Sequence, residues 1–352
     1  MNIQFETEES SFTVLNRALK FLAAAVIATI AATSLAGCAR ESTATGDQTI
    51  TIYSGRSEDL IAPLLEQFTA ETGIGVEVRY SDSASLAAQI LEEGSNVQAD
   101  VFFSQDAGAL GAISEAGAFK KLDDETTSLV DSKYRAVDST WIGVSGRSRV
   151  LSYNPDLLSA AELPKSIFDL ADPKFKGKVG IAPTNASFQS SVTAMRVLAG
   201  EAATVKWLNA MKTNAVLFEK NSQILEAVES GQISAGLINH YYWYERAAEV
   251  GEDKMVSKMA WFEAGDVGNL INVAGVGVLS DKPEAKAFAK WLLGETAQTF
   301  FVTKTAEYSL TGITAREGLP ALDEIAAPNI DLSALSTLAQ TLELIRNAKL
   351  TD

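Results

Sequence analysis

The chain has 352 residues, 47% hydrophobic and 21% charged, an ordinary globular balance with length enough for two domains. A formal net charge of −16 argues against a nucleic-acid-binding surface or a general attraction to anionic lipid. Any bound anion must therefore be gripped locally, and with one cysteine no internal disulfide can help hold the fold.

The chain opens on a segment that does not read as fold. "LKFLAAAVIATIAATSLAGC", residues 19–38, is apolar, uncharged after Lys20, and ends in small residues before Cys38. It is short and poor in large side chains for a membrane span, which favours an export signal over 1–37. Glu6, Glu8 and Glu9 leave that leader less basic than such signals usually are. Leu35-Ala36-Gly37-Cys38 resembles the bacterial lipobox, in which the cysteine takes lipid and becomes the mature N-terminus. An uncleaved signal anchor is the alternative. Residues 38–47 are polar and suit a flexible tether, so the body is expected at the cell membrane, on its extracytoplasmic face.

From Ile50 strand-like and helix-like segments alternate. "ITIYSG" reads as a strand. In "SEDLIAPLLEQFTAETG", Leu60, Leu64, Leu65 and Phe68 recur at helical spacing up to the stop at Gly73. "IGVEVRYSD" is the next strand, "SASLAAQILEEGS" a helix, "ADVFFSQ" a buried strand and "AGALGAISEAGA" a helix. The second half continues with strand and loop in "KVGIAPTNASF", a helix in "QSSVTAMRVLAG", strand and loop in "AVLFEKNS" and a helix in "QILEAVESGQ". "ISAGLIN" is then a buried strand running into the helix "HYYWYERAAEV". "GDVGNLINVAGVGVLSDKPEAKAFAKWLLG" returns as a strand and a helix started by proline. Such alternation predicts an α/β fold, with ligands beyond the carboxyl ends of the strands. Tyr241 and Tyr242 fall at one of those strand-to-helix junctions. By composition alone this aromatic cluster could equally be core.

The segments "YSGRSEDLIAPLLEQF", "ADVFFSQDAGALGAISEAG", "SGRSRVLSYNPDLL", "DLADPKFKGKVGIAPTNASF", "NSQILEAVESGQISAGLINHYYW" and "EYSL", in this order, resemble the bacterial ferric-iron-binding proteins of ABC importers. These are a branch of the type II periplasmic solute-binding proteins, and the resemblance covers roughly 48–350. It implies a two-lobe fold, each lobe a mixed, mostly parallel sheet flanked by helices, with ligand in the interlobe cleft. The expected lobes are 48–148 with 272–322, and 149–271 with 323–352. "IN-x-YYW" is the specific signal, since in that branch the adjacent tyrosines are iron ligands, here Tyr241 and Tyr242. Trp243 and Tyr244 are assigned to packing. The chemistry agrees: Fe(III) is a small, hard cation that favours anionic oxygen and displaces the phenol proton at neutral pH.

The sequence departs from the pattern on the first lobe. Where relatives supply histidine, the loop after the first strand carries Ser57 and Glu58, and a glutamate ligand of some relatives falls at Gln105, beside Asp106. Glu58 or Asp106 is expected to complete the metal site, ranked in that order. Each could instead be an acid favoured by a helix dipole. His240 is expected to be structural. Relatives also bind a synergistic anion, carbonate or phosphate, and its matching positions here are Asn185, Ala186, Asn221 and Asn239. Ser187 joins them at a helix start, and Arg149 is preferred over Arg147 as the cation, a surface or hinge salt bridge being the alternative for both.

The function implied is capture of Fe(III) for an importer's permease and ATPase. The membrane is a partner only through lipid on Cys38, and the protein is expected to act as a monomer and not as an enzyme. A metal-free binder of an oxyanion or organic anion, such as a phosphonate, is the alternative. A secreted hydrolase would need a nucleophile and base, which one histidine and no Gly-x-Ser-x-Gly do not supply.

Overall fold

The computed structural model describes residues 48–351. The expected leader, the lipid-accepting Cys38 and the tether up to Asp47 lie outside the described residues. Chain order begins β1 (Thr49–Ser54), α1 (Glu58–Thr72), β2 (Gly75–Tyr80), α2 (Ser83–Glu93), β3 (Val101–Ser104), α3 (Ala107–Glu115) and the single turn α4 (Asp124–Thr127). The long strand β4 (Trp141–Tyr153) follows, then β5 (Val179–Ile181), α5 (Ala186–Ala199), α6 (Glu201–Asn214), β6 (Ala215–Leu217), α7 (Asn221–Glu229), β7 (Ala235–Asn239) and α8 (His240–Val250). The chain closes with β8 (Lys258–Ala260), β9 (Ile271–Val278), α9 (Pro283–Trp291), α10 (Glu295–Lys304), β10 (Tyr308–Ser309) and α11 (Leu338–Asn347). Every strand and helix read from the periodicity is present.

The strands lie in the order β2-β1-β3-β9-β4-β7-β5-β6, with β8 and β10 also paired to β4. β1 runs parallel to β2 and β3, and β5 parallel to β6 and β7. These parallel pairs form the two flanks, while β9 and β4 make the centre antiparallel. β4 is buried at all thirteen positions and changes partner along its length. From Trp141 to Ser148 it pairs with β9, and from Arg149 to Tyr153 with β7. The sheet is therefore two halves joined through one strand, and the chain returns beside that joint, where the Arg149 N–H donates to the Leu270 carbonyl at 3.0 Å.

Close packing on β7 positions the neighbouring helix. A Cβ at Gly236 would lie 2.1 Å from Ile224 Cγ2, so only glycine lets α7 settle this low on the strand. Ile224, Leu225 and Val228 of α7 then join Val150 and Ile238 in one buried cluster. That contact fixes the N-terminus of α7 near the end of β7.

Candidate functional site

β7 is buried throughout and ends at Asn239, whose extended backbone (φ −86°, ψ 146°) turns directly into α8. His240, the first residue of α8, is fully buried. The Ser148 N–H donates to its Nδ1 at 3.2 Å, and its Nε2 donates to the Ala306 carbonyl at 2.7 Å. Both ring nitrogens are thus occupied by backbone, and burial pushes the ring down to about 4, so it is neutral at physiological pH. It locks the start of α8, and with both nitrogens engaged it is not free to act as a base.

With His240 fixed, the next two side chains have defined directions. Tyr241 is buried and Tyr242 half-buried, and their rings stack with centroids 4.3 Å apart at 28°. Burial first, then the neighbouring Tyr242 hydroxyl, raises the Tyr241 phenol well above its ordinary value, against the pull of Arg147. Trp243 donates its indole N–H to the Ser257 carbonyl at 3.0 Å, and Tyr244 packs under the Arg316 guanidinium at 5.0 Å. Both have the packing roles expected of them.

Tyr241 and Tyr242 open onto a cleft of about 580 Å³. Its other wall is built from the strand ends of the first half: the β1–α1 loop with Arg56, Ser57 and Glu58, then Tyr80 and Ser81 after β2, and Gln105 after β3. Glu58 is the first residue of α1 and is exposed to the cleft. Gln105 is half-buried, its N–H donating to Ser83 Oγ at 2.9 Å. Asp106 does not line the cleft. It is buried at the N-terminus of α3, where its Oδ1 accepts the Ala109 N–H at 3.1 Å. The alternative of an acid at a helix start describes its position, here as the N-cap, whose carboxylate turns back onto its own first turn.

Two features of the cleft had not been expected. Glu245, one turn beyond Tyr241 on α8, joins the lining and is exposed to the cleft. The low-dielectric walls and the Glu307 carboxylate raise it to about 7. Its spacing of four from Tyr241 was the available signal. The second feature lies beneath. Arg56 is fully buried and makes a two-pronged contact with Glu307, both bonds at 2.8 Å. Glu307 also accepts from Ser145 and Thr305, and Arg147 Nε approaches it at 3.8 Å. Burial opposes ionisation of Glu307, but Arg56, Arg147 and these hydrogen bonds outweigh it and hold the carboxyl below its ordinary range. Arg56 and Glu307 are 251 positions apart, so no local pattern could announce the pair.

The expected anion group gathers at the starts of α5 and α7, the end of β7 and the interior of β4. Asn185 caps α5 by accepting the Ser187 N–H at 3.0 Å, and Ala186 is the first helical residue. Asn221 Nδ2 donates to Asn185 Oδ1 and Ser187 Oγ, both at 3.2 Å, while its own buried Oδ1 has no partner. Arg149 donates to Asn239 Oδ1 at 3.2 Å, Ser187 Oγ at 3.3 Å and the Leu237 carbonyl at 3.0 Å. It is buried and, among the described residues, forms no ion pair; burial lowers it to about 10 although the Tyr242 and Tyr241 hydroxyls pull the other way. Arg147 is also buried and, among the described residues, makes no hydrogen bond, but its Nε forms a buried ion pair with Glu307 at 3.8 Å; the salt-bridge alternative thus describes Arg147, away from the surface, and not Arg149.

The arrangement thus offers two adjacent phenols and two carboxylates on one cleft, with an uncompensated buried cation beside them. Hard oxygen donors of this type suit a small, highly charged cation, and the arginine suits an anion.

A family model described as bacterial extracellular solute-binding protein matches residues 96–329. The Fe(3+)-binding periplasmic protein of Serratia marcescens is 38% identical over 312 residues, 87% of this chain and 92% of that protein. The major ferric iron-binding protein of Neisseria meningitidis is 35% identical over 305 residues, 85% of this chain and 92% of its own length. Among solved structures, iron-bound HitA from Pseudomonas aeruginosa superposes with a TM-score of 0.81 at 34% identity, covering 85% of this chain and 99% of that one.

Proposed function

The chain belongs to the bacterial extracellular solute-binding proteins, where its relatives are ferric-iron-binding periplasmic proteins of iron uptake, and from that premise we propose that it captures Fe(III) as cargo for an ABC importer. Tyr241 and Tyr242 hold the ion as phenolates, and Glu58 meets it from across the cleft. The observation that carries this reading is the stacked tyrosine pair opening onto the same cleft as Glu58. Two phenolates and the Glu58 carboxylate balance the charge of Fe(III), and a synergistic carbonate or phosphate fills remaining coordination positions, held by Arg149 with Asn185, Ala186, Ser187, Asn221 and Asn239. Buried Arg149 without an ion pair supports that assignment, since a desolvated cation gains most from an anion. The protein binds and releases without catalysis, as a monomer that delivers its ion to a permease and its ATPase. Lipid on Cys38 keeps it at the membrane: Cys38→Ala should release the protein or leave it unprocessed, and an intact N-terminus upstream of residue 38 in wild-type membranes would overturn this.

Loaded protein should be coloured, because phenolate ligation gives a charge-transfer band, and acid should bleach it as protons compete for the oxygens. Tyr241→Phe and Tyr242→Phe keep nearly all the packing and remove only the donor. Each is expected to lose the colour and lower iron affinity by orders of magnitude, at about 1 kcal/mol of stability for a lost hydroxyl bond. Tyr244→Phe should stay coloured. A second reading, a metal-free oxyanion or organic-anion binder, draws on the same unpaired Arg149. It takes over if the wild-type protein neither retains Fe(III) nor develops the band.

A further inference from the structure

We propose that Glu245 is a third anionic ligand to the ferric ion, carried on the same helix as the two tyrosines. The inference rests on the tyrosine reading above and extends it to a residue outside the tyrosine motif. In α8 (His240–Val250) successive residues are rotated by about 100° and rise by about 1.5 Å. Taking Tyr241 as zero, Tyr242 projects at about 100° and Glu245 at about 40°, between the two phenols and one turn further along. Helical side chains lean toward the N-terminus, so the glutamate arm reaches back over the tyrosines and not away from them. All three side chains line one cleft.

Nothing else claims this carboxylate. Among the described residues Glu245 forms neither a hydrogen bond nor an ion pair, although its neighbour Arg246 pairs with Glu249 at 2.9 Å. Arg56, across the cleft, is committed to Glu307. The first-half wall offers the Glu58 carboxylate, the Tyr80 phenol and the neutral amide of Gln105. Two phenolates and the Glu245 carboxylate cancel the charge of Fe(III) from a single rigid element. Three donors on one helix also let the ion stay bound before the opposite wall engages, so the anion at Arg149 becomes an addition to a neutral site and not a requirement.

The test uses the full chain loaded from ferric citrate, following the visible band and the iron retained against excess citrate. Glu245→Gln should move the band to longer wavelength and weaken iron by at least about tenfold, the lower range for disturbing even an outer-shell partner. Glu245→Asp keeps the charge and withdraws the oxygen by one methylene. Loss of affinity there supports ligation, whereas wild-type affinity with Asp overturns it, since charge alone would then suffice. Glu249→Gln should change neither readout. An unaltered band and affinity in Glu245→Gln, with Tyr241→Phe and Tyr242→Phe colourless, removes Glu245 from the site and leaves the tyrosine reading standing. Colour persisting in the double variant Tyr241→Phe/Tyr242→Phe overturns the two together.

Discussion

His240 sits beside the tyrosine pair and contributes through its neutrality. In an unfolded chain a histidine titrates near ~6.5. Folded, burial depresses the ring to about 4 despite its two backbone hydrogen bonds. Between those values the unfolded chain holds more protons, so stability rises with pH across that window. As pH falls from about 6.5 toward about 4, roughly 3 kcal/mol is expected to be lost through this one group. Urea unfolding of wild type and His240→Gln at pH 7 and pH 5 checks it. The wild-type midpoint should drop more between the two, and parallel drops would remove the assignment. At this scale the structural role of His240 and the place of the tyrosine pair at a strand-to-helix junction could be read from sequence, because residue type and neighbours carry them. Asp106 could not be separated from Glu58, since capping and ligation both favour an acid at a helix start. Only coordinates show that its oxygen accepts the Ala109 N–H.

Among elements, the β1–α1 loop and β10 are held together by a buried pair. Arg56 and Glu307 are each almost completely inaccessible, and Arg147 draws on the same carboxylate. Removing one partner of a buried pair strands the other charge without solvent, which typically costs about 3–5 kcal/mol. Glu307→Gln is therefore expected to lower stability by that order and to loosen the loop that presents Ser57 and Glu58. Denaturant titration with iron binding in parallel measures both, and a midpoint within about 0.5 kcal/mol of wild type would show the pair to be dispensable. Many helices and strands were legible from periodicity, although β4, α6 and α10 were not among them: α1 spans Glu58–Thr72 and stops at a left-handed Gly73, as its apolar spacing and glycine signal require. What periodicity did not carry is the switch of β4 from β9 to β7 at Ser148 and Arg149. A strand buried along its whole length reads the same whichever neighbour it pairs with.

For the whole molecule, the sheet halves meet at that switch, and the chain passes the same level again at Leu270 and Ile271. A further tie runs from Leu332–Ser336, which packs so closely on α3 that a Cβ at Gly108 would lie 2.8 Å from the Leu335 carbonyl. α11 packs instead on α5 in the other half. The expected lobes, 48–148 with 272–322 and 149–271 with 323–352, place these connections between them, and we expect iron to favour a closed arrangement through its greater affinity for it. Small-angle scattering should show a smaller radius of gyration for iron-loaded than for stripped protein. Superimposable curves would argue that the halves do not close. The sequence by itself determined the α/β alternation, the family and the position of the tyrosine pair at the start of a helix, because periodicity and a contiguous motif are local properties of the chain. Only the tertiary structure decided that Asp106 turns inward, that Glu245 faces the tyrosines' cleft, and that Arg56 is answered by Glu307. Those facts depend on which surfaces the fold brings within a few ångströms, and electrostatics and burial at that range are not encoded in spacing along the chain.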